Sequence, residues 1–189
     1  LIAAFVRHRQ EVVTRRTVFE LRKARERGHI VEGLAVALAN IDEVIQLIKT
    51  SSTGAEAKER LLDKLWSEGG VLALLERTAS DKNACRPENL PDYLGLLESG
   101  YKLSPEQAQA ILDLQLRRLS ALERQKIIDE LEALLKHIAE LEAILNNEQL
   151  LRQVIIDELQ EVKRQFGDAR KTEIVDAGVE FKIEDLIPN

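Results

Sequence analysis

The sequence predicts an all-α protein in which a long antiparallel coiled-coil arm carries a small helical, globular tip. Three observations predict it. Ile127, Leu131, Leu134, Ile138, Leu141 and Leu145 recur at alternating gaps of four and three, an apolar seam with Glu, Lys, Asp and Gln on the other sides. Charged residues are 32% of the 189 and aromatics only 4%, a composition suited to long helices. Residues 1–30 hold eight bases against three acids, whereas residues 120–166 hold ten acids against six bases. Helices of opposite sign are matched to lie side by side.

The outgoing arm helix occupies residues 1–30, its pattern running on to about Ala39. Its early apolar positions, Phe5, Val6, Val12, Val13, Val18, Phe19 and Leu21, form a face two residues wide, enough for two neighbours. Gly28 weakens the helix by about 1 kcal/mol against Ala and marks a kink or hinge. From Ile30 to Ile48 the chain is apolar over more than half its circumference, so it is buried from more than one side. This begins the tip, residues 31–119, with a bend and cap at Asn40.

Thr53 with Glu56 is a capping-box pattern and starts a short helix, Ala55 to Leu65. Another short helix spans Val71 to Arg77. Residues 65–102 are otherwise loop-rich, with Pro87, Pro91 and Gly100. Ser104-Pro105-Glu106-Gln107 combines a cap, a first-turn proline and a box-closing Gln, and opens a helix reaching Leu119. Ser120 with Glu123 starts the return, residues 120–167. Asn146-Asn147 interrupts it, and a last helix follows with Leu151, Ile155, Leu159, Val162 and Phe166 on one face, fitting a third strut beside the arm, with Gly167 as its stop. Residues 168–189 are an extended tail in which Val179, Phe181 and Ile183 alternate. The absence of Met and the pattern already running at Leu1 fit a piece of a longer protein.

The composition narrows the chemistry. Cys85 stands alone, so no disulfide framework or Cys-based metal site forms within one chain. No apolar run approaches a membrane span and no signal peptide opens the chain, which places it in the cytoplasm. No Gly-rich phosphate loop is present. His8, His29 and His137 lack ligand partners at helical spacing and read as solvated or seam-edge residues. Glu130/Glu132 and Glu140/Glu142 sit on solvated faces, which do not separate carboxylate pKa values. Tyr93 and Tyr101 have no neighbouring base in sequence. We therefore expect no catalytic, cofactor-binding or metal-binding residue in this chain. The net charge of −6 argues against nucleic-acid binding on the average. Locally, Arg15, Arg16, Arg22 and Lys23 either pair with the acidic return helix or touch DNA phosphates.

The tip offers more apolar surface than its size can bury, which points to a homodimer formed through the tip. Leu34, Leu38, Ile41, Ile45, Ile111, Leu112 and Leu116 are the interface candidates.

Several segments resemble the A-subunit family of bacterial DNA gyrase, a type IIA DNA topoisomerase. They are Arg9 to Arg27 (RQEVVTRRTVFELRKARER), Leu34 to Asp42 (LAVALANID), Gln107 to Leu119 (QAQAILDLQLRRL) and Gln165 to Asp168 (QFGD). Topoisomerase IV carries similar elements. The Phe-Glu-Leu-Arg-Lys-Ala-Arg and Ala-Leu-Ala-Asn-Ile-Asp runs favour gyrase. Residues 65–102 match poorly and look like an insertion at the tip. The resemblance implies the exit gate, or C-gate, of an ATP-dependent enzyme that negatively supercoils DNA by double-strand passage. It implies a homodimer through the tip, the gyrase B subunit in an A2B2 holoenzyme, and transported duplex DNA as partners. The catalytic Tyr, the ATP and the Mg would lie on other domains. A generic helical-hairpin scaffold that docks RNA or a protein is the alternative from another class.

Overall fold

A computed structural model of the chain describes residues 1–78, 81–114 and 121–172. Seven helices lie among these residues: α1 (Ile2–Ala39), α2 (Ile41–Lys49), α3 (Gly54–Asp63), α4 (Val71–Arg77), α5 (Pro105–Leu112), α6 (Ala121–Asn146) and α7 (Glu148–Phe166). Three short strands accompany them: β1 (Leu65–Trp66), β2 (Gly95–Leu97) and β3 (Gly100–Lys102). The all-α expectation holds, with this small sheet as an addition.

The outgoing helix is one continuous α1 of 38 residues. At 1.5 Å per residue that is about 57 Å. The return runs antiparallel to it. Arg27 of α1 pairs with Glu130 near the start of α6 at 2.8 Å. Arg25 pairs with Glu142 at 2.6 Å, and Arg9 and Arg16 both pair with Glu158 of α7. Partner numbers rise as α1 numbers fall, so α6 covers the second half of α1 and α7 the first half. The expectation of α7 as a third strut is therefore corrected. It continues the return past the break at Asn147, whose side chain accepts from the Gln149 and Leu150 amides. One consequence is bareness: Phe5, Val6, Val18 and Phe19 on α1, and Leu159, Val162 and Phe166 on α7, stay exposed.

The α6 seam is shifted from the expected register. Ile127, Leu131, Leu135, Ile138 and Leu141 are buried, while Leu134 and Leu145 are half-buried. Gaps of four and three both fit a period of 3.6, and adjacent leucines let the helix choose either. Gly167 ends α7 with extended backbone, its N–H bonded to the Lys163 carbonyl, without a left-handed turn.

The tip forms around the last third of α1, where Val31, Leu34, Val36, Ala37 and Leu38 are all buried. The chain bends at Asn40, but not through a side-chain N-cap. The Asn40 amide donates instead to the Val36 carbonyl at 2.9 Å and to the Ser67 carbonyl at 2.7 Å, tying the bend to the turn before α4. α3 starts one residue earlier than expected and ends at Asp63, where the chain turns extended into β1. Thr53 accepts from the Glu56 amide, and Glu56 reaches back to the Ser52 amide rather than to Thr53. α4 occupies its expected span. α5 ends at Leu112, short of Leu119. The expected cap at Ser120 and the alternation at Val179, Phe181 and Ile183 lie outside the described residues.

The segment read as loop contains the antiparallel sheet, in the order β1-β3-β2. Tyr101 on the central strand pairs with Trp66 on one side and Leu96 on the other, and both aromatic rings are buried. The Trp66 indole donates to the Leu61 carbonyl at 3.0 Å. Arg86 organises the turn before β2, donating to the carbonyls of Leu90, Pro91 and Leu94 at 3.0, 2.7 and 2.9 Å.

Two glycines let these parts reach α1. α1 continues as helix through Gly28. A β-carbon at Gly28 would stand 2.7 Å from the Cys85 sulfur. One at Gly33 would stand 2.6 Å from Cγ and 2.8 Å from Cβ of Gln107. Gln107 is held by the hydrogen bonds described below and cannot give way. Gly33→Ala should therefore destabilise the chain by about 1–3 kcal/mol in urea unfolding. Gly54→Ala, with nothing within 4 Å, should not destabilise it. Equal midpoints for the two variants would contradict this packing.

Candidate functional site

Two features of the tip bear on function: the buried junction between arm and tip, and the apolar surface beyond it. Sequence reasoning missed the first. His29, read as solvated or seam-edge, is buried on α1. Its Nε2 lies 2.9 Å from the Ser104 hydroxyl. Gln107 of α5 completes the capping box with Ser104, its Oε1 accepting from the Ser104 amide at 2.9 Å. The Gln107 Nε2 faces three acceptors: the His29 carbonyl at 2.6 Å, the Tyr101 hydroxyl at 2.7 Å and His29 Nδ1 at 3.2 Å. With Nδ1 facing an amide donor, the fitting tautomer carries its proton on Nε2, donating to Ser104. Beside it Glu32 is also buried, hydrogen-bonded by the Tyr101 hydroxyl and the Cys85 thiol. The capping box was legible in sequence, but its second use, gripping α1 from the side, was not.

The electrostatics follow from burial. Desolvation pulls the His29 imidazole down from 6.5 to about 4, with the Glu106 charge opposing and the Arg86 charge adding. Desolvation pushes the Glu32 carboxyl up from 4.5 to about 7, against the Tyr101 hydrogen bond, the Arg86 charge and the Cys85 hydrogen bond. Burial and the neighbouring Glu32 hold both the Cys85 thiol and the Tyr101 phenol in their protonated forms. Neither is a nucleophile at neutral pH. The cluster is a buried hydrogen-bonded joint between α1, the sheet and α5, neutral at His29 and about half ionised at Glu32 near pH 7. Among the described residues, no group of three His, Cys, Asp or Glu side chains could hold a metal.

The interface candidates separate by burial. Leu34, Leu38 and Ile111 are buried in the chain's own core, Leu38 reaching the surface only at the wall of a cleft, a correction that follows from α4, α5 and α6 closing over α1. Ile41, Ile45 and Leu112 are half-buried. Leu116 lies outside the described residues. α2 buries Val44 and Leu47 and leaves Ile41, Ile45 and Ile48 as a neighbouring stripe, with Ile48 36% exposed. An apolar cleft of about 350 Å³ opens between the end of α1, α4 and the start of α6, lined by Leu38, Val71, Leu74, Ile128 and Leu131. Leu122 and Ile128 of α6 are exposed near it.

The basic candidates divide as well. Arg16 pairs with Glu158 of the return, as do Arg9, Arg25 and Arg27 with their own acids. Among the described residues, the acid that Arg15 meets is Glu11 of its own helix, at 4.0 Å, and the acid that Lys23 meets is Glu26, at 2.8 Å. Arg22 stacks over Phe19.

A helical hairpin with a packed tip and a partly exposed apolar stripe defines a structural arm. Comparison with known proteins gives its family. A family model for the A subunit of DNA gyrase/topoisomerase IV matches residues 1–160. The chain is 58% identical over 187 residues to the DNA gyrase A subunit of Pseudomonas aeruginosa, covering 99% of this chain and 20% of that protein. It is 54% identical to the DNA gyrase A subunit of Aeromonas salmonicida, covering 99% and 20%. It is also 54% identical to that of Escherichia coli K12, covering 99% and 21%. The chain belongs to the A-subunit family of DNA gyrase and topoisomerase IV, and it spans about a fifth of the length of these relatives. No helix among the described residues is long and apolar enough to cross a membrane.

The junction makes a pH prediction with two opposing parts. The unfolded chain takes up a proton at His29 as pH falls through 6.5, and the folded chain not until about 4. His29 therefore costs stability on acidification. The folded chain keeps the Glu32 proton up to about 7, and the unfolded chain loses it near 4.5. Glu32 therefore costs stability as pH rises. Relative to wild type, Glu32→Gln should gain stability as pH rises from 4.5 to 7, on the order of 3 kcal/mol. His29→Gln removes the acid cost, so its stability relative to wild type should rise as pH falls from 6.5 to about 4. Unfolding midpoints that move in parallel for all three proteins would contradict these assignments.

Proposed function

We propose that this chain is the exit gate, or C-gate, of a DNA gyrase A subunit. In this reading two copies meet at their tips and form a homodimer. The whole enzyme joins the gyrase B subunit in an A2B2 assembly in the cytoplasm and negatively supercoils DNA, using ATP, by passing one duplex through another. The transported duplex leaves between the two arms. The chain contributes a mechanical part, and the chemistry of cleavage and of ATP hydrolysis belongs to other domains.

The observation that carries this reading is the partly exposed stripe of Ile41, Ile45 and Ile48 on α2, at the far end of a long hairpin. A gate must hold while DNA is cut and still open once per cycle. A modest apolar two-fold interface on two levers suits both demands. The family assignment supplies the context, and the tightly packed joint at Gln107 would pass force from arm to tip without loss.

Light scattering tests the proposal. Wild-type chain should show twice the mass of one chain. Ile45→Asp combined with Ile48→Asp, both at positions with exposed surface, should leave a folded monomer with unchanged helicity. A monomeric wild type, or a dimer that survives the double substitution, would remove this surface from the gate.

A further inference from the structure

Glu32 is buried on α1 beside the turn that leads into β2. A cavity of about 10 Å³ has both Glu32 and Arg86 on its wall, with Lys82, Leu90 and Tyr101. That volume is close to the smallest that admits one water. Arg86 therefore has two sets of acceptors within its reach. Its guanidinium holds the turn, donating to the carbonyls of Leu90, Pro91 and Leu94. The Pro91 carbonyl also accepts the Leu94 amide at 3.0 Å, so the turn's own bond and an Arg86 bond meet on one atom. The other acceptor is Glu32, on which the Arg86 charge already bears. The remaining titratable and charged groups of this neighbourhood are few. His29 of α1 is neutral, and Arg25 is paired with Glu142 of α6. Tyr101 of β3 and Cys85 hydrogen-bond to Glu32, and the Glu106 charge of α5 bears on His29. Lys82 is exposed and forms no ion pair among the described residues.

We propose that Arg86 is a clasp with two positions: it closes the turn while Glu32 holds its proton, and it pairs with Glu32 across the cavity once that proton is lost, releasing the turn from the arm helix. The proposal concerns the joint alone and does not depend on the exit-gate reading. An ionised carboxylate this deep needs a cation, because the Tyr101 hydroxyl and the Cys85 thiol offer only neutral bonds. A bond from guanidinium to carboxylate is stronger than one from guanidinium to a neutral carbonyl. The carbonyls given up lie in a turn where Pro91 is exposed, so water replaces the guanidinium there. Lys82 is the competing partner for Glu32, but its ammonium would have to leave water, whereas the Arg86 side chain is already 80% buried. The turn carries Pro87, Leu90 and Leu94, which face Glu26, His29 and Ile30 of α1 across a cleft of about 500 Å³. Its release would loosen the sheet's hold on the arm, so the stiffness of the joint would follow the proton on Glu32.

The test is amide hydrogen exchange, read by nuclear magnetic resonance and corrected for the intrinsic effect of pH. The reporters are the Leu90 and Leu94 amides, bonded to the Pro87 and Pro91 carbonyls, and the Val31 amide in the core of α1, which reports global unfolding. The closed turn keeps the Glu32 proton up to about 7, and the released form loses it earlier. Release therefore grows as pH rises toward 7 and levels off above it. Protection at Leu90 and Leu94 should fall about tenfold between about pH 5.5 and 7, while staying well below that of Val31 throughout. Glu32→Gln should remove this pH dependence, and Lys82→Gln should leave it intact. Leu90 and Leu94 amides as protected as Val31 at every pH would mean that the turn opens only with the whole chain, and would overturn the proposal. A pH dependence that survives Glu32→Gln would overturn it as well. Loss of the dependence in Lys82→Gln would give the pairing to Lys82 and leave Arg86 a fixed part of the turn.

Discussion

One side-chain amide holds the arm to the tip. Gln107 caps its own helix with one end and grips the His29 carbonyl and the Tyr101 hydroxyl with the other. That grip is available only because Gly33 leaves room for the Gln107 side chain against α1. The same closeness brings the Cys85 loop onto Gly28. α1 can then run unbroken from arm to tip core, and no flexible linker separates lever from contact surface. The cost is a set of buried polar groups that must all find partners. His29 meets that demand by staying neutral, and Glu32 by keeping its proton up to a pH of about 7.

This constraint explains how the rest is arranged. The tip builds its core on the last third of α1 from α2, α4, α5 and the sheet, and the return helices lie along what remains. Long-range ion pairs mark the antiparallel register of the arm but sit in partly exposed positions. They choose orientation more than they add stability. The apolar seam beneath them, from Ile127 to Leu141 against Leu21 to Leu38, supplies most of the cohesion. The partly exposed stripe on α2 and the apolar cleft beside α4 are the apolar surfaces this packing leaves on the tip's described helices.

Much of this was legible in the sequence. Helix starts with capping chemistry were readable, since Ser104-Pro105-Glu106-Gln107 and Thr53 act within a few residues of chain. The antiparallel pairing of α1 with the return was readable from opposite charge and matched apolar periodicity. What was not readable depended on tertiary proximity. Gly28 looks like a weak point in a helix, and only the neighbouring Cys85 turns it into a packing site. His29 sits in a polar run, so nothing nearby in sequence signals that Ser104 and Gln107 close over it. The strands at residues 65–66, 95–97 and 100–102 are too short to show alternation. Leu34, Leu38 and Ile111 looked like surplus surface because the sequence does not show how many helices converge on α1. The family resemblance supplied what periodicity could not, the reason a hairpin should carry a tip at all.

The central claim is that two copies meet at the tip and are held apart along the arm. Electron–electron dipolar spectroscopy measures this directly, with a single spin label attached through a cysteine at Lys49 beside the α2 stripe or, separately, at Lys163 near the base of α7. Cys85 is buried and should remain unlabelled. The account predicts a short, narrow distance between copies for the tip label and a longer one for the base label. A shorter distance at the base than at the tip would contradict it, because the copies would then associate along the arms.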